Sequence, residues 1–139
     1  MSVPACPCDP SFCVNPATRR ALVVEDDATL LRLFQEALES EGCTVRICGA
    51  GREALSVLAA HRPDVVLIDF HLADMNGVEF AQLYREVDTS PAPLVLISGL
   101  SAPALDAAVT AIGAAGVLSK PFDLDDFYAT LRPFTDCLN

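Results

Sequence analysis

Five short apolar runs, each followed by a longer stretch of helical period, constrain this chain more than any other feature of its sequence. The runs are ALVV (21–24), TVRI (44–47), VVLI (65–68), LVLI (94–97) and GVL (116–118). Two of them, VVLI and LVLI, are unbroken Val, Ile or Leu, and ALVV departs only by its first Ala, as in strands buried on both faces. Between them, apolar residues recur at three- and four-residue spacing: Leu30, Leu31, Phe34, Ala37 and Leu38; then Ala54, Leu55, Leu58 and Ala59; then Phe80, Ala81, Tyr84 and Val87; then Leu105, Ala108, Val109 and Ile112. A last stripe is Leu124, Phe127, Leu131 and Phe134. Such stripes predict amphipathic helices. The punctuation agrees: Gly42 stands where a helix C-terminus needs left-handed backbone, Pro63 stops the second helix, Ser101 and Pro103 open the fourth, and Asp123 caps the fifth.

Strict alternation of strand and helix predicts an α/β fold, a flavodoxin-like doubly wound five-stranded parallel sheet in which ligands bind outside the carboxyl ends of the strands. The chain has 139 residues, room for a single domain. Residues 1–19 contain Pro4, Pro7, Pro10 and Pro16 without apolar periodicity and are expected to form an extended leader, with the domain spanning 20–139. A hydrophobic content of 52% supplies the core. No apolar run reaches the ~18–20 residues of a membrane span, and there is no signal-peptide pattern, so the expectation is a cytoplasmic protein with no membrane contact. The formal net charge of −10 argues against nucleic acid as a direct ligand.

Six cysteines do not form a disulfide framework in a chain long enough to fold around a core. Cys43 and Cys48 read as small buried apolar residues. Cys6, Cys8 and Cys13, with Cys137 as a fourth ligand, could hold zinc, but their spacing matches no strong zinc pattern, and the simpler reading is free thiols in a tail.

The strand ends carry the chemistry. Glu25, Asp26 and Asp27 follow the first run, Asp69 the third, Ser98 the fourth and Lys120 the fifth. Lys120 is the one lysine among nine basic residues, the other eight being arginine. The fold brings these groups to one edge, where clustered aspartates call for a hard divalent cation such as Mg²⁺. A carboxylate beside a cation, a hydroxyl and an ammonium can accept a phosphoryl group: the positive charges neutralise the transferring oxygens, the hydroxyl bonds one of them, and the carboxylate attacks in line. Each residue also has a plainer reading. Asp27 could cap a helix, Asp69 could form a turn, Ser98 could bond its own backbone, and Lys120 could be an ordinary solvated lysine.

The stretches VVEDD (23–27), VLID (66–69) followed by MNG (75–77), ISG (97–99) and SKP (119–121), in this order and each at a predicted strand end, resemble the receiver domains of two-component response regulators over about residues 20–135. The resemblance implies Asp69 as phosphoacceptor, with Asp26 and Asp27 holding Mg²⁺ alongside Asp69 and the backbone carbonyl of His71. It further implies Ser98 as a switch hydroxyl, Lys120 as the partner of a phosphoryl oxygen, and a cis Lys120–Pro121 peptide. The phosphodonor would be a sensor histidine kinase or a histidine phosphotransfer protein. With only a few residues after the last stripe, a stand-alone receiver is expected, read by an unknown downstream protein through its fourth helix, fifth strand and fifth helix, or serving as a phosphorelay shuttle. Such a protein accepts and slowly loses a phosphoryl group without turning over as an enzyme.

Three positions depart from the family pattern. Val117 stands where many members have a Tyr or Phe that rotates inward. Ala73 replaces the usual Pro four residues after the phosphoacceptor, which predicts a looser loop over 70–77. His71 and Leu100, two residues beyond Asp69 and Ser98, occupy places that influence acyl-phosphate hydrolysis; Leu100 cannot orient a water. His71 is read as a solvent-facing loop residue in preference to a second phosphoryl acceptor or a metal ligand through its side chain. Two alternative functions are a receiver-like interaction module working without phosphate and an Asp-nucleophile phosphohydrolase. The latter class carries a second Asp two residues after the nucleophile, where this chain has His71.

Overall fold

The computed structural model describes residues 19–135, so the expected leader with Cys6, Cys8 and Cys13, and likewise Cys137, lies outside the described residues. Five strands alternate with five helices: β1 (Arg20–Val24), α1 (Ala28–Ser40), β2 (Thr44–Cys48), α2 (Gly51–Ala60), β3 (Val65–Asp69), α3 (Gly77–Val87), β4 (Leu94–Ser98), α4 (Ala104–Ile112), β5 (Gly116–Ser119) and α5 (Leu124–Thr135). All strand pairs are parallel and the sheet order is β2-β1-β3-β4-β5, the predicted doubly wound topology.

Alternate residues of each central strand feed opposite layers. Leu22, Val24, Val66, Ile68, Leu94 and Leu96 pack with Ala54, Leu58, Phe80, Tyr84 and Ile112 of α2, α3 and α4. Ala21, Val23, Val65, Leu67, Val95 and Ile97 pack with Phe34, Leu38, Phe127 and Leu131 of α1 and α5. Both faces of β3 and β4 are therefore buried, which is why those runs are unbroken apolar. Cys43 and Cys48 are buried free thiols, as expected, and burial pushes the Cys48 thiol up to about 11.

The helix ends follow the sequence except at Ser101, at Leu124 and at Val87, which ends α3 and is 65% exposed where the stripe predicts it buried. Gly42 has φ +89° just past α1, and the Cys43 amide bonds the Leu38 carbonyl. Asp123 Oδ1 accepts from the Asp126 amide at the start of α5. Ser101 does not cap α4 with its side chain; the N-cap position is Pro103, and Ser101 contributes only its carbonyl, to the Leu105 amide. Leu124, expected in the core stripe, is exposed, because α5 buries its face only from Phe127 onward.

Candidate functional site

Asp69, Ser98 and Ser119 are the last residues of β3, β4 and β5, and Ser98 pairs in register with Ser119, so the sheet itself aligns these groups and Lys120 along its carboxyl edge. The Lys120 amide bonds the Ser98 carbonyl at 2.7 Å and the Phe70 amide bonds the Ile97 carbonyl at 2.9 Å, extending the ladder one step into the site. The Lys120–Pro121 peptide is cis.

Asp69 is 4% exposed and held on both oxygens: Lys120 Nζ lies 3.0 Å from Oδ2, and the His71 amide donates to Oδ1 at 3.1 Å. Ser98 is fully buried, and its Oγ accepts from the Leu100 amide at 2.8 Å, which leaves the hydroxyl proton to be donated elsewhere. Partial desolvation pulls the Lys120 pKa down. The hydrogen bond to Asp69 and the charges of Asp69, Glu25 and Asp27 more than offset this, so the ammonium is held above its ordinary range.

Glu25 stands among the strand-end acids of the sequence, but the family resemblance gave it no role. It is 1% exposed; its Oε2 accepts from the Asp27 amide at 3.1 Å, while Oε1 has no hydrogen-bond partner and lies 3.9 Å from Lys120 Nζ. Burial first, then a hydrogen bond the protonated carboxyl can make to Asp69 and the charge of Asp69, raise its pKa from about 4.5 to about 8, against the opposing pull of the Asp27 amide and Lys120. A buried acceptor without a donor is costly unless something positive meets it.

Carboxylate oxygens of Glu25, Asp26 and Asp69 all lie within 4.8 Å of one another. Asp27, expected as a cation ligand, lies outside this cluster. Asp27 is the N-cap of α1, its Oδ1 accepting from the Thr29 amide at 2.9 Å and the Leu30 amide at 3.2 Å. The first turn of a helix leaves such amides without intrahelical partners, and Asp27 meets that need. Three carboxylates, one of them buried Glu25 with an unpartnered Oε1, fit a divalent cation of the Mg²⁺ type.

The loop after Asp69 is tied down despite Ala73. The Leu72 amide bonds the Met75 carbonyl at 3.1 Å and the Gly77 amide bonds the Phe70 carbonyl at 2.8 Å. Asn76 and Glu79 form a reciprocal capping box on α3. The Asp74 carboxylate accepts from the Gly51 and Arg52 amides at 3.0 Å each. Chiefly the Arg52 bond holds its carboxyl below the ordinary value. His71 is exposed, with its ring edge-on to Phe70, and Leu100 packs partly buried against the core. Val117 is partly buried against the same layer.

Residues 21–132 match the family model of the response regulator receiver domain. Among curated proteins, the chain is 38% identical over 118 residues to a protein-glutamate methylesterase/protein-glutamine glutaminase of Nitrosospira multiformis, covering 80% of this chain and 33% of that protein. It is 32% identical over 111 residues to the KDP operon transcriptional regulatory protein KdpE of Escherichia coli, covering 80% and 48%. The chain thus spans a third to a half of these relatives' lengths. Of solved structures, the chemotaxis response regulator CheY4 of Vibrio cholerae superposes with a TM-score of 0.76 at 27% identity, covering 84% of this chain and 98% of that one. The non-phosphorylated HemR receiver domain of Leptospira biflexa does so with 0.76 at 26%, covering 84% and 94%. No described helix is long and apolar enough to cross a membrane. Sheet order, the acidic edge with its single lysine, and these matches together make the chain a member of the response regulator receiver domain family of two-component signalling.

Proposed function

We propose that this receiver accepts one phosphoryl group on Asp69 from a phosphohistidine of a cytoplasmic sensor histidine kinase or histidine phosphotransfer protein, with Mg²⁺ held by Glu25, Asp26 and Asp69 and the backbone carbonyl of His71. The observation that carries this is the Lys120 ammonium seated 3.0 Å from Asp69, beside the orphaned Oε1 of buried Glu25. An oxygen of Asp69 forms the bond to phosphorus while the bond to the donor nitrogen breaks, so Asp69 becomes an acyl phosphate and the donor imidazole leaves with the electron pair. Lys120 moves from the carboxylate onto a phosphoryl oxygen, and the Ser98 hydroxyl donates its proton in a hydrogen bond to another. The bound divalent cation supplies charge neutralisation on the transferring oxygens. The phosphorylated surface is read by a partner protein, and no turnover is involved.

Incubation with Mg²⁺ and acetyl phosphate followed by intact mass measurement tests this. One added phosphoryl group in the wild type and none in Asp69→Asn is the expected result. No addition would favour an interaction module working without phosphate, and rapid release of free phosphate would favour a hydrolase.

A second expectation concerns lifetime. Leu100 presents only hydrocarbon near Ser98, its amide is already committed to Ser98 Oγ, and the side chain leans on the core, so it has no group to orient an attacking water. The acyl phosphate is expected to persist for minutes or longer after the donor is removed. Following the phosphorylated mass over time checks this, and loss within seconds would refute it.

A further inference from the structure

The loop between Asp69 and α3 is closed at its base by the Gly77–Phe70 and Leu72–Met75 backbone bonds and pinned at its tip by one side chain, Asp74. Both Asp74 oxygens are used, one on the Gly51 amide and one on the Arg52 amide, 3.0 Å each. These are first-turn amides of α2, and the N-cap residue of that helix, Ala50, makes no side-chain cap bond. The helix borrows its cap from a loop more than twenty residues away in sequence. The two elements also interlock sterically: Met75 is 8% exposed, and a Cβ on Gly51 would stand 2.6 Å from its Sδ.

We propose that Asp74 is a positioning residue for the phosphoacceptor site. By clasping α2 it fixes the main chain at His71, whose amide holds Asp69 Oδ1 at 3.1 Å and whose carbonyl the proposed function assigns to the cation. This rests on that reading of the site. A carboxylate on two amides at a helix N-terminus is a charge-assisted, dipole-favoured contact, strong enough to hold a loop that lacks a proline. The clasp also links the site to α2 on the far side from α5, so a cation or phosphoryl group that shifts the His71 backbone is felt at the Gly51 and Arg52 amides.

A plain helix-capping role is separable from positioning, because Ala50 has extended backbone, φ −149° and ψ 152°, suited to a conventional N-cap aspartate. The Mg²⁺ dissociation constant is measured by calorimetric titration on the wild type, Asp74→Ala, and Asp74→Ala combined with Ala50→Asp, alongside their thermal unfolding. Asp74→Ala is expected to weaken Mg²⁺ binding about 5–10-fold. The double variant is expected to regain the thermal stability lost by the single one and to remain weak for Mg²⁺. Equal dissociation constants in wild type and Asp74→Ala, recovery of affinity in the double variant, or no Mg²⁺ binding by the wild type would each overturn the proposal. The titration needs no phosphoryl transfer, so a wild type that binds Mg²⁺ yet takes no phosphoryl group would refute the proposed function, while the dissociation constants still decide the clasp.

Discussion

Replacing Glu25 by Gln is expected to raise the unfolding temperature of the metal-free protein at pH 8 by roughly 5–10 °C and to weaken Mg²⁺ binding at least tenfold. The two effects have one cause. Glu25 is a buried carboxyl in a cluster with Asp69, and its Oε1 has no hydrogen-bond donor, the Lys120 ammonium standing 3.9 Å away. Ionising it inside the fold is therefore unfavourable, which is the meaning of a pKa of about 8 against an ordinary 4.5. At ~1.4 kcal/mol per unit the upper bound is large, and coupling to Asp69 and Lys120 reduces it to roughly 2 kcal/mol. For a domain of this size that is several degrees of unfolding temperature.

The sign over pH follows from proton counts. Between about pH 4.5 and 8 the folded protein keeps a proton on Glu25 that the unfolded chain has released. Folding therefore loses stability as pH rises through that window and keeps it below, the reverse of a salt-bridged carboxylate. Denaturant unfolding in the presence of a chelator at pH 5, 6.5 and 8 should show the advantage of Glu25→Gln growing with pH. An advantage that is constant or shrinks would mean that Glu25 is ionised in the folded state without penalty. Gln retains an acceptor for the Asp27 amide and offers its NH₂ to Asp69, but it cannot supply the anionic oxygen a divalent cation needs.

What the sequence displayed and what it hid divide along contact range. The sheet was legible because β3 and β4, buried on both faces, must be apolar throughout, and because a strand's last residue lies at the edge where ligands bind. Asp69, Ser98 and Lys120 were expected at that edge from the same rule, and the sheet brings them to it. Glu25 joins the carboxylate cluster where Asp27 was expected, for a local reason. Three acids in a row follow β1, and the one nearest the helix is consumed by the Thr29 and Leu30 amides. Placing the start of α1 at Ala28 before choosing ligands would have made Asp27 the cap and left Glu25, next to buried Val24, facing the site. Asp74 had no such local signal, since its partners at Gly51 and Arg52 become neighbours only once α2 and the loop are packed. The same holds for Ala73: proline's absence says what the loop lacks, and only the packed structure reveals what holds it instead.

Lys120→Met is expected to slow phosphoryl uptake from acetyl phosphate by about a hundredfold or more, and Lys120→Arg is not expected to restore it. Removing one preorganised donor from a developing phosphoryl charge typically costs ~10²–10³ in rate. Met keeps the length of the stem and deletes the ammonium, so loss of rate with the fold intact isolates the charge. Arginine is the sharper control, because eight of the nine basic residues are already arginine and the chain keeps lysine only here. The Nζ point charge sits between Asp69 Oδ2 and Glu25 Oε1, and a planar guanidinium needs more room and a fork-shaped partner. Stability should respond more modestly. The side chain is 33% exposed, so solvent screens the pair and the loss in Lys120→Met should be about 1 kcal/mol near neutral pH. Because the folded ammonium pKa is raised, that contribution is complete below the ordinary lysine value and vanishes as pH climbs through the folded value. Wild type and Lys120→Met should therefore keep their full difference up to the ordinary lysine value of ~10.4 and converge only above it, and a difference unchanged there would show that Lys120 acts by packing and not by charge. Loss of the lysine also removes one of the two groups that lower the Glu25 pKa, so the variant should hold the Glu25 proton to higher pH, and the pH dependence of its Mg²⁺ binding should be displaced to higher pH relative to the wild type.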